Sequence, residues 1–332
     1  MPRLSLEEIK RVAQNALVAS KTSAGNAEIV AASLVAAEAD GIATHGLLRL
    51  PTYCSHARSG KVDGFAHPVL KRSAPSVARV DARNGFAHPA IRAAIDELAE
   101  LARAQGVAVA AIYNSYNSGV MGHHVEELAR RGLVALAFAN APATIAPWGG
   151  NKPLFGTNPI AFAAPREDGE PVVIDQASSV VARGEILLRA QRGEKMADTW
   201  AFDSRGKPTA DPKAALDGGS LAPAGGHKGV NMAFIVEVLA ATLTGALHSF
   251  DAGSLTADDG KPAGVGQLFI ALATDRLGGK DFQRRLETLC EAMLAQEGTR
   301  LPGARRYAAR AKAHAEGVDI DAAVFEKVRS LA

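Results

Sequence analysis

A chain of 332 residues, with 47% hydrophobic and 22% charged side chains, holds enough apolar material for a sizeable core, and its length accommodates two domains. Lysine and arginine number 37 against 35 acidic residues, the basic ones are scattered, and aromatic content is only 5%, so neither the formal charge of +2 nor the supply of stacking rings points to nucleic acid. Cys54 and Cys290 lie far apart without a CxxC pattern, which fits a reducing cytoplasmic setting, and the longest apolar stretch, Met232 to Leu247, contains Glu237 and reads as a core helix, so no membrane segment is expected.

Ser5 and Glu8 have capping-box spacing ahead of the stripe Ile9, Val12, Ala16 and Leu17, which predicts a first helix. A second runs from about Asn26, taken as its N-cap, through Ile29, Val30, Leu34 and Ala37 to the stop at Asp40-Gly41. Ile91, Ile95, Leu98 and Leu101 predict a helix that ends before Gly106 and the strand Val107 to Ile112. The pattern repeats with Val125 to Arg131 and the strand Leu133 to Ala139, an alternation that indicates an α/β domain. Ile160 to Ala164 and Val172 to Asp175 flank a polar turn and predict a hairpin. Gly229 to Leu247 reads as one long buried helix, Gln267 to Ala273 as a strand, and Asp281 to Gln296 as an amphipathic helix. The charged helical tail, with Arg305, Arg306, Arg310 and Lys312, reads as a solvated face. Joints are expected near Asn114 to Gly119 and Thr299 to Gly303.

No GxGxxG follows a predicted strand and no GxxxxGK[ST] occurs, which argues against a Rossmann site and a P-loop. The nine histidines form no recognisable ligand spacing, so no metal is expected. Thr44-His45 by itself reads as a capped turn with a buried histidine or as a reactive pair. Arg49 favours the second: if the turn continues helically, the imidazole and a carboxylate-binding fork share a face, an arrangement suited to hydride transfer beside a carboxylate. The loop Ala146 to Pro159 reads as a structural loop or as a binding loop whose amides and Thr157 hydroxyl meet an anion. Gly225-Gly226-His227-Lys228-Gly229, before a long helix, is a flexible helix entry or a phosphate site.

Taken together, EADGIATHGLLRLPTY (residues 38 to 53), APWGGNKPLFGTNPIAFAAP (146 to 165), VVIDQASSVVARGE (172 to 185), PTADPKAAL (208 to 216) and GGHKG (225 to 229) resemble the malate/L-lactate dehydrogenase-type oxidoreductase family, which includes sulfolactate dehydrogenases and Δ1-piperideine-2-carboxylate/Δ1-pyrroline-2-carboxylate reductases. The resemblance spans nearly the whole chain. It implies a non-Rossmann α/β fold in which a mixed-sheet cofactor domain accompanies a mostly helical one, and a homodimer with the active site between domains. His45 then stands as proton donor, with Thr44 and Glu185 completing a relay in which a carboxylate raises the imidazole pKa. Arg49 and Thr157 hold the substrate carboxylate. Cofactor contacts fall on Asn117, Ser118, Gly119, Val120 and Met121, on Asp175, Gln176 and Ala177, on Arg183 and Gly184, on His227 and Lys228, and on Gly303, Ala304 and Arg305. Where many members carry a histidine this chain has Asn114-Ser115-Tyr116-Asn117-Ser118-Gly119, so Tyr116 either offers a hydroxyl to the substrate or is simply packed.

The resulting expectation is reversible reduction of a small 2-oxo acid or cyclic 2-imino acid by NAD(P)H, with NADPH favoured because Arg183 and Lys228 suit a 2′-phosphate. The alternatives are a 2-hydroxy-acid dehydrogenase of sulfolactate, malate or lactate type and, from another class, a non-catalytic carboxylate- or nucleotide-binding protein. The domains are expected at 1–113 plus 300–332, for substrate, catalysis and dimerisation, and at 114–299, for the cofactor.

Overall fold

The computed structural model describes residues 1–331. In chain order, strand β1 (Arg3–Leu4), helices α1 (Leu6–Ala19), α2 (Ala24–Ala39) and α3 (Leu50–Ser59), strands β2 (Val69–Ala74) and β3 (Val77–Asp81), helix α4 (Ala87–Gln105), strand β4 (Val107–Ser115) and helix α5 (Met121–Arg130) make up the first part. Strands β5 (Leu133–Ala139), β6 (Ile160–Ala164) and β7 (Val172–Gln176) follow, then α6 (Arg183–Arg192), β8 (Ala201–Phe202), α7 (Pro212–Leu216), β9 (Ser220–Leu221) and α8 (His227–Glu237). The chain closes with β10 (Val265–Ala273), α9 (Thr274–Leu277), α10 (Phe282–Leu294), α11 (Ala304–Glu316), β11 (Val318–Asp319) and α12 (Ala322–Arg329).

The capping box of α1 forms as its spacing implies: Glu8 N–H donates to Ser5 Oγ at 3.2 Å and Ser5 N–H donates to Glu8 Oε2 at 2.8 Å. The N-cap of α2 is Ser23, not Asn26; the Asn26 amide instead lies buried inside the first turn and donates to the Gly64 and Ala66 carbonyls at 2.9 and 3.0 Å. Both residue types cap well, so the choice fell to which side chain a neighbouring strand of chain could use.

Seven strands form one mixed sheet in the order β2-β3-β4-β10-β5-β6-β7, in which β3 and β4 are parallel and every other pair is antiparallel. Helices α4 and α5 cover one face, where Ile91, Ile95, Leu98 and Leu128 pack on Ala110, Ala137 and Phe269. Each such large side chain removed from water contributes roughly 1.5–3 kcal/mol. Val236 and Ala240 cover the other face against Phe138 and Leu268. With both faces covered, β10 is apolar along nearly its whole length, VGQLFIALA, instead of alternating.

Residue 113, the expected boundary, lies inside β4, and β2 and β3 join the sheet with α4 as the crossover of the parallel β3–β4 pair. One expectation is corrected here. The stretch from Gly229 is not one buried helix: α8 passes into a π-helical turn at Val238–Thr242, and Phe234, Ile235, Val238 and Leu243 are exposed. The apolar residues that cover the sheet use only one side of this segment.

The helical lobe packs α1, α2, α3 and α12 around Leu17, Leu34, Leu50, Tyr53 and Val328, and the chain returns to its start where β11 pairs with β1, Arg3 opposite Asp319. A smaller cluster around Ile145, Ile186, Ala201 and Leu221 carries α6 and the loops beside it.

Candidate active site

A cavity of about 640 Å³ opens where the segment after α2, the loop before α5, the ends of β6 and β7, the start of α6 and residues 249–256 meet. Thr44, His45 and Arg49 all line it. They do not lie along one helical face as expected. Residues Ala43–His45 and Leu47–Arg49 form two separate 3₁₀ turns hinged at Gly46. The hinge is held by Glu38, a buried carboxylate that accepts from Leu47 N–H at 2.6 Å. A Cβ at Gly46 would stand 2.1 Å from Glu38 Oε1, so this approach admits only glycine. Within the turns, Thr44 Oγ1 pairs with His45 Nδ1 at 3.1 Å and Arg49 Nε donates to the Thr44 carbonyl at 2.9 Å.

The electrostatics of His45 reverse the expectation drawn for it. Burial first, then the positive charges of Arg49, His123 and Arg306, depress its pKa to about 4. Glu185, the expected relay carboxylate, is not in the cavity wall; it sits four residues from Arg189 on α6 and pairs with it at 2.9 Å. The imidazole is therefore neutral at pH 7 in this state.

Burial likewise depresses His88 to about 3 and His124 to about 4. All three imidazoles are neutral in the folded protein, whereas the unfolded chain takes up protons near the ordinary value of 6.5. A depressed folded pKa contributes stability above the unfolded value and loses it as the pH falls. Thermal melts are thus expected to show Tm falling from pH 6.5 towards about 4, over a wider and higher range than carboxylates alone would give. A flat Tm between pH 7 and 5 is the contrary result.

Among the other expected site residues, Thr157 lines the cavity, as do Asn117, Gly119, Val120 and Met121. Asp175, Ala177, Arg183 and Gly184 line it too, with Asp175 beside the loop's end, where it accepts from Gly122 N–H at 2.8 Å. Ser118 and Gln176 do not line it; the Ser118 carbonyl is taken by His124 Nε2 at 2.8 Å. Tyr116 is buried in the helical lobe, its hydroxyl 2.6 Å from His56 Nδ1, so of the two readings it is the packed one. His227 and Lys228 begin α8 outside the cavity, with the His227 ring against Trp148. Gly303, Ala304 and Arg305 also stay outside, and the next residue, Arg306, enters instead.

Arg306 was absent from the expected set, and the reading of the tail as a solvated face fails for two of its arginines. Arg310 makes bidentate pairs with Asp40, at 2.7 and 2.9 Å, and with Glu126, at 2.6 and 3.0 Å. His123 Nε2 also reaches Asp40, at 2.9 Å. Burial alone would raise the Asp40 pKa, but His123 and Arg310 hold it at about 2. Asp40 ends α2 directly before the Thr44-His45 turn, so this network ties α11 and α5 to the base of the reactive segment. The sequence signal available was the spacing of Arg306 and Arg310, one helical turn apart around Tyr307, over whose ring Arg310 lies. The wall formed by Ser249, Ser254, Leu255 and Thr256 had no such signal.

Among the described residues, no three or more His, Cys, Asp or Glu side chains are grouped to hold a metal, and no helix is long and apolar enough to cross a membrane.

Comparison with known proteins agrees with this geometry. The family model described as malate/L-lactate dehydrogenase matches residues 4–329. The chain is 46% identical over 329 residues to a (2R)-3-sulfolactate dehydrogenase (NADP(+)) of Chromohalobacter salexigens, covering 99% of this chain and 98% of that protein. It is 40% identical over 311 residues to a Δ1-pyrroline-2-carboxylate/Δ1-piperideine-2-carboxylate reductase of Pseudomonas syringae pv. tomato, covering 94% and 91%. The crystal structure of the Δ1-piperideine-2-carboxylate reductase from that organism superposes with a TM-score of 0.94 over 100% of both chains. The sulfolactate dehydrogenase structure from Methanocaldococcus jannaschii gives 0.90 at 26% identity, covering 99% of this chain and 96% of that one.

Proposed function

The chain belongs to the malate/L-lactate dehydrogenase family, and from that premise we propose how its cavity works. The protein is an NAD(P)H-dependent oxidoreductase that reduces a small 2-oxo acid or cyclic 2-imino acid, and oxidises the corresponding product, at the carbon next to a carboxylate. The observation that carries the residue assignment is that a neutral histidine and an arginine with no carboxylate partner among the described residues share one cavity, 3.1 and 2.9 Å from the same threonine.

The cavity fits the cofactor by its charge. Arg49, Arg183 and Arg306 line it against one carboxylate among the described residues, Asp175, which accepts from Gly122 N–H at 2.8 Å, and the volume of about 640 Å³ lies within the range of cofactor sites. Arg183, Gly184, Ala177 and the Asn117–Met121 loop hold the dinucleotide in this reading, with Arg183 as the residue that would favour NADPH. The reduced nicotinamide supplies the hydride when bound.

Arg49 grips the substrate carboxylate through its fork, helped by Thr157. Thr44 holds Nδ1 of His45 and leaves Nε2 for the reacting oxygen or nitrogen. In oxidation the neutral imidazole accepts the hydroxyl proton directly. In reduction it must first carry a proton, and the arriving carboxylate supplies the condition: once it offsets the charge of Arg49, the imidazole binds a proton more readily. Glu185 has no part in this account.

We further infer a cytoplasmic homodimer. Both cysteines are free thiols, and Phe234, Ile235, Val238 and Leu243 form an exposed apolar face of the kind that a second copy of the chain can cover. Loss of reduced-nicotinamide absorbance with pyruvate, 3-sulfopyruvate and Δ1-piperideine-2-carboxylate tests the reaction. Turnover with at least one, and a lower KM for NADPH than for NADH, is expected; no turnover with any returns the chain to a binding protein.

A further inference from the structure

A buried carboxylate behind the cavity ties together segments of chain that wall it. Glu237, the last residue of α8, does not line the cavity; it is buried and accepts three hydrogen bonds. Ser249 donates two of them, from its backbone N–H to Oε1 and from its hydroxyl to Oε2, both at 2.6 Å. Asn158 Nδ2 donates the third, to Oε2 at 2.8 Å, and also donates to the Ala233 carbonyl at 2.9 Å. Asn158 Oδ1 in turn accepts from Ala141 N–H at 3.3 Å, and Ala143 N–H donates to the Ser249 carbonyl at 2.9 Å. Ala141, Ala143, Thr157 and Ser249 all line the cavity, so walls supplied by separate parts of the chain converge on the Glu237–Asn158 pair.

The same pair sets a backbone conformation. Asn158 has a φ of +38°, in the left-handed region that side chains disfavour and that asparagine enters more readily than most. The residue before it is Thr157, whose hydroxyl is assigned to the substrate carboxylate. Both lie between β5 and β6, outside the sheet, where regular strand pairing does not fix the chain. Ser178 holds the Thr157 and Asn158 carbonyls, at 2.7 and 2.9 Å, and the Asn158 side chain supplies the link to α8. The fit is close: a Cβ at Gly156 would stand 2.2 Å from the Ala141 carbonyl oxygen and 2.6 Å from Asn158 Oδ1. Glu237 is presented directly before the π-helical turn at Val238–Thr242, a widening of the helix that often accompanies functional sites. We propose that Glu237 is a positioning residue: through Asn158 it fixes Thr157, and through Ser249 a second part of the wall, so carboxylate binding depends on a side chain that does not touch the substrate.

This proposal rests on the reductase reading, and its test separates the two. Steady-state constants with pyruvate and Δ1-piperideine-2-carboxylate are measured for the full-length protein, for Glu237→Gln, for Thr157→Ala and for the double variant. Glu237→Gln keeps the shape, but in either orientation its amide N–H₂ meets an N–H donor, so the bond to Ser249 N–H or to Asn158 is lost. KM is expected to rise by about 10-fold, the size of one hydrogen bond to a charged ligand, with kcat and the Kd of NADPH changing far less. Because Glu237 acts through Thr157, the double variant should bind little worse than Thr157→Ala, whereas independent effects would multiply. Asn158→Gly admits the same φ but cuts the link to Glu237; it should reproduce the raised KM, and it carries the test if Glu237→Gln does not fold. An unchanged KM in the folded variants, effects that multiply, or an equal weakening of NADPH overturns the proposal and makes Glu237 a residue of folding alone. Propionate, a carboxylate that cannot be reduced, is titrated in parallel by calorimetry on NADPH-saturated protein. If the unmodified protein reduces none of the acids yet binds propionate more tightly than Glu237→Gln or Asn158→Gly does, the positioning role stands and the reductase reading falls. Neither turnover nor propionate binding in the unmodified protein overturns both.

Discussion

Replacing His45 by alanine is expected to lower kcat by about 10³-fold, within the ~10²–10⁴ that a positioned proton donor or acceptor contributes, with NADPH affinity nearly unchanged. The split follows from position: the imidazole is held by Thr44 beside Arg49, while the dinucleotide is assigned to the Asn117–Met121 loop and the start of α6. The pH profile supplies a second readout. Because burial and the neighbouring positive charges hold the free imidazole at about 4, kcat/KM for the oxidation, which needs it neutral, should keep its value well below pH 6.5 and fall only on approaching pH 4. The reverse reaction needs the protonated form, so its kcat/KM should decline as pH rises. Single-turnover and steady-state rates of both directions over pH 4.5 to 9 check this. An alanine variant with full turnover, or an acid limb for oxidation at the ordinary histidine value, removes His45 from the mechanism.

The second large effect belongs to Arg49. Arg49→Met should lower kcat/KM by about 10²–10³-fold, corresponding to the loss of a desolvated charged pair worth ~2–5 kcal/mol. Arg49→Lys should recover little of it, since a single ammonium cannot reproduce the two parallel bonds of the fork. The loss should appear mainly as a raised KM, because the carboxylate is gripped in the ground state as well as in the transition state. One further change distinguishes this from simple unfolding. Arg49 is the largest of the charges depressing His45, so its removal should move the acid limb of the oxidation profile upward. Unaltered KM with a lowered kcat and an unmoved limb would assign Arg49 to holding the Thr44 carbonyl alone.

The difference between what local order conveyed and what packing decided can be followed residue by residue. The Ser5-Glu8 box, the helix carrying Ile91, Ile95 and Leu98, and the hairpin of β6 and β7 follow from spacing, since a cap, a helical stripe and a tight turn are each made by neighbours in sequence. The reactive segment was legible for a similar reason: Thr44, His45 and Arg49 lie within six positions, and the motifs they share with a known family are continuous in sequence. Its conformation was not, because Gly46 allowed two short turns where a helix was expected and a distant carboxylate, Glu38, held them.

Tertiary structure alone decided the charges. A periodicity argument sees Arg306 and Arg310 only as polar residues on a helix; whether they meet water, a carboxylate or the cavity depends on α11 crossing to α5, where Arg310 meets Glu126 across 184 residues of chain, and Coulomb interactions depend on distance in space and on burial. The same holds for His45. Its family resemblance suggested a carboxylate neighbour and a raised pKa, whereas the fold surrounds it with apolar walls and guanidiniums and lowers it. Thus the amino-acid order was enough for the fold class and the cofactor class, and it singled out a histidine and an arginine that share the cavity. The protonation state of that histidine, the exclusion of Tyr116 and Glu185 from the cavity and the entry of Arg306 were set by long-range packing, because desolvation and charge proximity do not exist until the chain has closed on itself.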